Sequence, residues 1–213
     1  MNETLIEKLI RTNVITERDI QDYINKKGME TKVVDGKNET YSVIKEGVLV
    51  KFDKRDLVNG HYTVPKEVQK IGVGAFSYCN ELKTISMHNG VERIGNRAFS
   101  CSGLRCLIIP QSVKYVGKEI CLCCVDLFNV EILAEIQVLN DYAFADCKTL
   151  NSVRLPNDVK TISSFAFQGC EELKEITLPD SVRKICATAF IKCYSLQGNN
   201  TYKHLKNIGL LNL

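Results

Sequence analysis

The chain has 213 residues, 45% of them apolar, and its 28 basic and 25 acidic side chains leave a net charge of only +3. That length suits one elongated domain, or a domain with a small appendage, packed at an ordinary apolar content. The charges are interspersed, which argues against a nucleic-acid stripe or an acidic-lipid surface, and no run approaches the roughly 18 apolar residues of a membrane span.

The opening MNETLIEKLIRTN lacks the basic start, apolar run and small-residue cleavage site of a secretory leader. The expectation is a cytoplasmic protein, with a cell-surface or secreted one as the alternative. Residues 1–28 read as a helical hairpin. Leu5, Ile6, Leu9 and Ile10 recur at helical spacing. Thr16 then stands as an N-cap before Glu17 and Asp19, and Ile20, Tyr23 and Ile24 supply a second apolar face ending at Gly28. Helices this short must pack on something. They serve either as a cap on the core that follows or as a partner-binding or dimerising hairpin.

Residues 29–60 hold short strand-like runs, TKVV, TYSVI and GVLVKF, separated by Asp35-Gly36 and Glu46-Gly47. They read as an irregular leading coil, the atypical terminal unit expected of a repeat protein. Asn38 and Asn199 sit in glycosylation-acceptor triplets, which matter only to a secreted chain.

From residue 61 to 213 a repeat takes over. A partial copy begins at Tyr62, full copies at Leu82, Leu104, Leu127, Leu150 and Leu173, and a truncated one at Leu196. The two clearest copies superpose Leu150 on Leu173, Val153 on Ile176, Pro156 on Pro179, Phe167 on Phe190 and Cys170 on Cys193, each 23 residues apart. A fixed period in the twenties means a solenoid. Each column has a job. Leu, then apolar residues three and five on, make a strand with one buried face. Proline ends the ladder. Val and Ile three apart open a second extended segment, and Gly72, Gly95 and Gly117 after it permit close backbone approach. Ala-Phe starts a short helical turn that Cys closes. Cys79, Cys101, Cys124, Cys147, Cys170 and Cys193 follow at steps of 22, 23, 23, 23 and 23. That is a packing column of reduced thiols, although thiols stacked about 5 Å apart are near enough to oxidise.

The run Leu-x-x-Ile-x-Leu-Pro-x-x-Val-x-x-Ile-x-x-x-Ala-Phe-x-x-Cys, best kept at residues 150–170 and 173–193, resembles the bacterial surface antigen A-like (BspA-like) leucine-rich repeats, over about residues 48–209. The resemblance implies a leucine-rich-repeat solenoid of the α/β repeat class, its short strands stacked into a parallel sheet with short helical turns. It also implies binding of other macromolecules, often at cell surfaces, and no catalytic residues.

The pattern breaks at Ile120-Cys121, which replace Ala-Phe, at Leu133 and His88 in the proline column, and at Leu139-Asn140, which replace Ile-Gly. Losing a Phe from a packed coil is costly unless Leu122 or Leu127 refills it. The strand residues that alternate with buried ones form the candidate protein-binding surface: Thr84 and Ser86, Cys106 and Ile108, Asn129 and Glu131, Ser152 and Arg154, Glu175 and Thr177, with Phe128 at its edge. Cys106, Ile108 and Phe128 would make an apolar centre in a polar rim. Cys121, Cys123 and Cys124 lack a second ligand set at zinc spacing. His61, His88 and His204 are scattered, so no nucleophile–base pair is suggested. The expectation is a non-enzymatic scaffold without cofactor or metal, with an exported or cell-surface adhesion or host-interaction protein as the alternative. It would bind a protein or peptide, no nucleic acid and no membrane, with a homodimer through the C-terminal coil or the N-terminal helices as a further option.

Overall fold

The structure, a computed structural model, describes residues 41–197. The expected helices of residues 1–28, the TKVV strand, and His204 and Asn199 lie outside the described residues.

The leading section enters as a hairpin. β1 (Val43–Lys45) and β2 (Val48–Lys51) pair antiparallel. Glu46 and Gly47 join them with φ of 48° and 71°, the mirror-image turn whose twist matches that of the strands. The backbone N–H groups of Tyr41 and Ser42 donate to the Asp56 carboxylate at 2.8 and 2.7 Å, tying the start of this hairpin to the coil that follows.

Two parallel sheets then run along the described residues. One contains β2, β4 (Lys70–Ile71), β6 (Arg93–Ile94) and β8 (Tyr115–Val116), and resumes as β10 (Val138–Leu139), β12 (Thr161–Ile162) and β14 (Lys184–Ile185). The other contains β3 (His61–Thr63) and β5 (Thr84–Ser86), and resumes as β7 (Cys106–Ile109), β9 (Asn129–Ile132), β11 (Ser152–Arg154) and β13 (Glu175–Thr177). Pairing follows the period: Tyr62 faces Ile85, and Leu107, Val130, Val153 and Ile176 form one file. Leu82, Leu104, Leu127, Leu150 and Leu173 are fully buried beneath it. Each buried side chain of this size contributes roughly 1.5–3 kcal/mol.

The third side differs from the expected helical turn. It is built from left-handed kinks in two columns: Gly74, Arg97, Glu119, Tyr142 and Phe165, then Tyr78, Cys101, Cys123, Asp146, Gly169 and Lys192, with φ between 54° and 70°. A left-handed residue other than glycine costs about 1–2 kcal/mol. The return is a third hydrogen-bond ladder. Alternate N–H groups donate to the next coil, as from Phe76 to Ala98, Phe99 to Ile120, Cys121 to Ala143, Phe144 to Ala166 and Phe167 to Ala189, at 2.8–2.9 Å.

Inside this side run a phenylalanine file and a thiol file. Phe76 stacks on Phe99, Phe144 on Phe167 and Phe167 on Phe190, with ring centroids 5.3, 5.6 and 5.3 Å apart. Cys121 interrupts the file. Leu127 is fully buried there and Leu122 only half-buried, while the same turn gains a fully buried Ile120 where other coils have Ala. The thiol file corrects one assignment. The residue three after the Phe is Cys79, Ser102, Cys124, Cys147, Cys170 and Cys193. Cys101 is therefore not in the file; it occupies the kink before it. Thiols of Cys124, Cys147, Cys170 and Cys193 donate to the carbonyls of Phe99, Cys121, Phe144 and Phe167 at 2.9, 3.0, 3.1 and 3.0 Å. In these four coils the column gives a backbone carbonyl a second donor beside its own turn's N–H.

Within the repeat that starts at Tyr62 the period shortens once, between Ser102 and Leu104. Gly103 makes this short corner: a Cβ there would lie 2.1 Å from the Asn80 carbonyl oxygen. β5 and β7, on either side of the corner, are not paired as a ladder; Arg105 N–H to Lys83 O, 3.0 Å, bridges them instead. His88 takes the proline position by hydrogen bonding. Gly90 N–H donates to its Nδ1, so its Nε2–H donates to Pro65 O, both at 3.0 Å.

Candidate partner-binding surface

On the sheet of β3, β5, β7, β9, β11 and β13, residues alternating with the core form two columns. The first is His61, Thr84, Cys106, Asn129, Ser152 and Glu175. The second is Thr63, Ser86, Ile108, Glu131, Arg154 and Thr177. Strand pairing sets Ile108 beside Glu131, Glu131 beside Arg154 and Arg154 beside Thr177.

The first column is largely sealed, contrary to the expectation that it faces a partner. Thr84, Cys106 and Ser152 are only 7%, 5% and 8% exposed. Rungs about 4.8 Å apart leave a short side chain covered from above and below. These groups also satisfy one another. His61 Nδ1 and Thr84 Oγ1 share a hydrogen bond at 2.7 Å, and Ser152 Oγ donates to Asn129 Oδ1 at 2.7 Å. Burial pushes the Cys106 thiol up to about 11 and holds the His61 imidazole down at about 4, so both are neutral near pH 7. Glu175, at the far end of the column, is exposed.

The second column is the accessible one. Thr63, Arg154 and Thr177 are exposed, and Ser86, Ile108 and Glu131 are half-buried. Arg154 Nη1 lies 3.2 Å from Glu131 Oε1. Such a surface pair contributes at most about 1 kcal/mol and leaves the guanidinium free to exchange partners. Phe128, half-buried at the edge, is held by its N–H to Arg105 O at 2.8 Å. The second column sets a half-buried Ile108 beside Glu131, among hydroxyls and a charge pair, with Phe128 just ahead of β9. Cys106, expected to form an apolar centre with Ile108 and Phe128, is buried in the first column. His61 and Thr63 extend the surface and were signalled by Tyr62 standing 23 residues before Ile85.

Among the described residues no group of three or more His, Cys, Asp or Glu side chains is arranged to hold a metal ion, and no helix is long and apolar enough to cross a membrane. Within the Cys121, Cys123 and Cys124 run, Cys124 serves the thiol file and Cys121 occupies the phenylalanine file.

Comparison with known proteins places this geometry. The family described as BspA type leucine rich repeat region matches in six copies, over residues 59–132 and 117–211. A search of curated proteins found no match. Among solved structures, a leucine-rich repeat protein from Eubacterium ventriosum is 24% identical with a TM-score of 0.66, covering 71% of this chain and 41% of that one. A T. pallidum leucine rich repeat protein is 30% identical with a TM-score of 0.64, covering 70% of each. One from Bacteroides ovatus is 24% identical with a TM-score of 0.51, covering 68% and 45%. This chain thus spans less than half the length of the first and third of these.

Proposed function

The chain belongs to the BspA-type leucine-rich repeat family, and from that membership we propose that it is a non-catalytic binding module holding a protein or peptide along the column Ser86, Ile108, Glu131, Arg154 and Thr177. The observation that supports this reading is the accessible row itself: short or half-buried groups on stacked strands, with apolar Ile108 beside the Glu131–Arg154 charge pair. Interfaces combine those features. Rigid strands also lower the ordering cost of binding. Charge reversal at Arg154 together with Ile108→Asp should weaken capture of a native partner by at least about tenfold, roughly 1.4 kcal/mol. Charge reversal at Lys160 and Arg183, just ahead of β12 and β14 of the other sheet, should leave capture unchanged. Equal loss from both pairs would move the interface off this sheet.

The binding surface would be shared by the full-length protein whatever flanks it. The expected cytoplasmic location gains no support from the comparisons, and fractionation of the source cells decides between interior and surface. Sedimentation of the full chain tests the proposed homodimer.

A further inference from the structure

Ten cysteines fall into two groups by placement. Six are buried, and four of those spend their thiol protons on backbone carbonyls. Cys79, Cys101, Cys123 and Cys186 are half-buried. One coil on from Cys79 stands Ser102, and one coil back from Cys186 stands Ser163. Cys101 and Cys123, by contrast, face each other. They hold the same left-handed position in consecutive coils, with φ of 55° and 58°. Cys101 N–H donates to the carbonyl of Leu122, the residue directly before Cys123, at 2.7 Å. Burial, and after it the neighbouring Cys101 thiol, push the Cys123 thiol up. Coils hydrogen-bonded in this way lie about 4.8 Å apart, inside the Cα separation a disulfide accepts, about 4.4–6.8 Å.

Their position in the fold is as telling. Cys101 belongs to the coil of β5 and Cys123 to the coil of β7, the two neighbours whose strands are not paired as a ladder. A covalent bond between them would cross the boundary where the pairing of one of the two sheets lapses.

We propose that Cys101 and Cys123 form a redox modification site that takes a low-molecular-weight disulfide of the glutathione type and closes into an inter-coil disulfide. The thiolate of one cysteine attacks a sulfur of the small disulfide. That S–S bond breaks, one small thiolate leaves, and it takes up the proton the cysteine gave. The second cysteine, deprotonated in turn, attacks the mixed disulfide and releases the second small thiol. Two protein thiols are oxidised to one disulfide, and one small disulfide is reduced to two thiols. Excess small thiol reverses both steps. The site is independent of the partner surface, which lies on another side of the coil.

The test equilibrates the folded full-length chain with oxidised and reduced glutathione at graded ratios, followed by acid quench and peptide mapping. The expected result is one internal disulfide, between Cys101 and Cys123, with the other eight thiols intact. In Cys101→Ser and Cys123→Ser the internal disulfide disappears, and the remaining cysteine carries glutathione instead. Amide exchange across β7 slows about tenfold on oxidation. Retention of ten thiols at every ratio overturns the proposal, as does a disulfide mapped to any other pair. The mapping of the unsubstituted chain stands even where a serine variant folds poorly.

Discussion

At the scale of single residues, the molecule gives backbone carbonyls a second donor from the side chains of the next coil. Each buried thiol in the file completes a carbonyl of the coil before it, and Ser102 occupies the same place with its hydroxyl 3.4 Å from the Cys124 sulfur. The periodicity of the cysteines was legible from spacing alone. The displacement of Cys101 was not, because two cysteine-compatible positions lie side by side and a step of 22 fits either. His61 carries a cost of another kind. Burial lowers its pKa from 6.5 to about 4, so the unfolded chain takes up a proton first as the pH falls. The stability this residue contributes is fully present above about pH 6.5 and is lost as the pH drops toward 4, in all on the order of 2–3 kcal/mol. Urea midpoints at pH 7 and pH 4.5 should therefore separate widely in the native chain and draw closer in His61→Gln.

At the scale of elements, three ladders rather than two hold coil to coil wherever both sheets are continuous. The two sheets follow from apolar alternation, and their boundaries were readable because Leu, Ile and Val columns recur. The third ladder was hidden. It depends on left-handed kinks at Arg97, Glu119, Tyr142 and Lys192, residue types that announce no such conformation. Burial of Thr84, Cys106 and Ser152 was hidden for a related reason: alternation tells which way a side chain points and says nothing about how closely its neighbours cover it. The corner at Gly103 shows how little slack these elements have. A methyl group there meets backbone, the Asn80 carbonyl, rather than a side chain that can swing away. Gly103→Ala should lower stability by about 3 kcal/mol, measurable by urea unfolding.

At the scale of the whole molecule, stability is local and passed between neighbours. The coil from Leu104 to Asp126 carries most of the irregularities. The phenylalanine file stops at Cys121, the pairing of one sheet lapses before β7, and that of the other lapses between β8 and β10. The described residues therefore behave as two regular blocks joined through this coil. Phe167→Ala should cost about 3–5 kcal/mol. The loss should fall on one block: amide exchange should accelerate strongly from β9 to β14 and only weakly from β2 to β6. Uniform acceleration would show that the joining coil transmits cohesion as well as any other.

The shortened corner has a consequence for how such a chain finds its fold. Near-identical units carry an ambiguity, since any one can nest on several others with comparable contacts, and a mis-nested intermediate is a trap. A unit one residue short, seated by a glycine against one particular carbonyl, nests properly in a single place. It acts as an index mark in an otherwise uniform thread, setting the count from which every later turn is aligned.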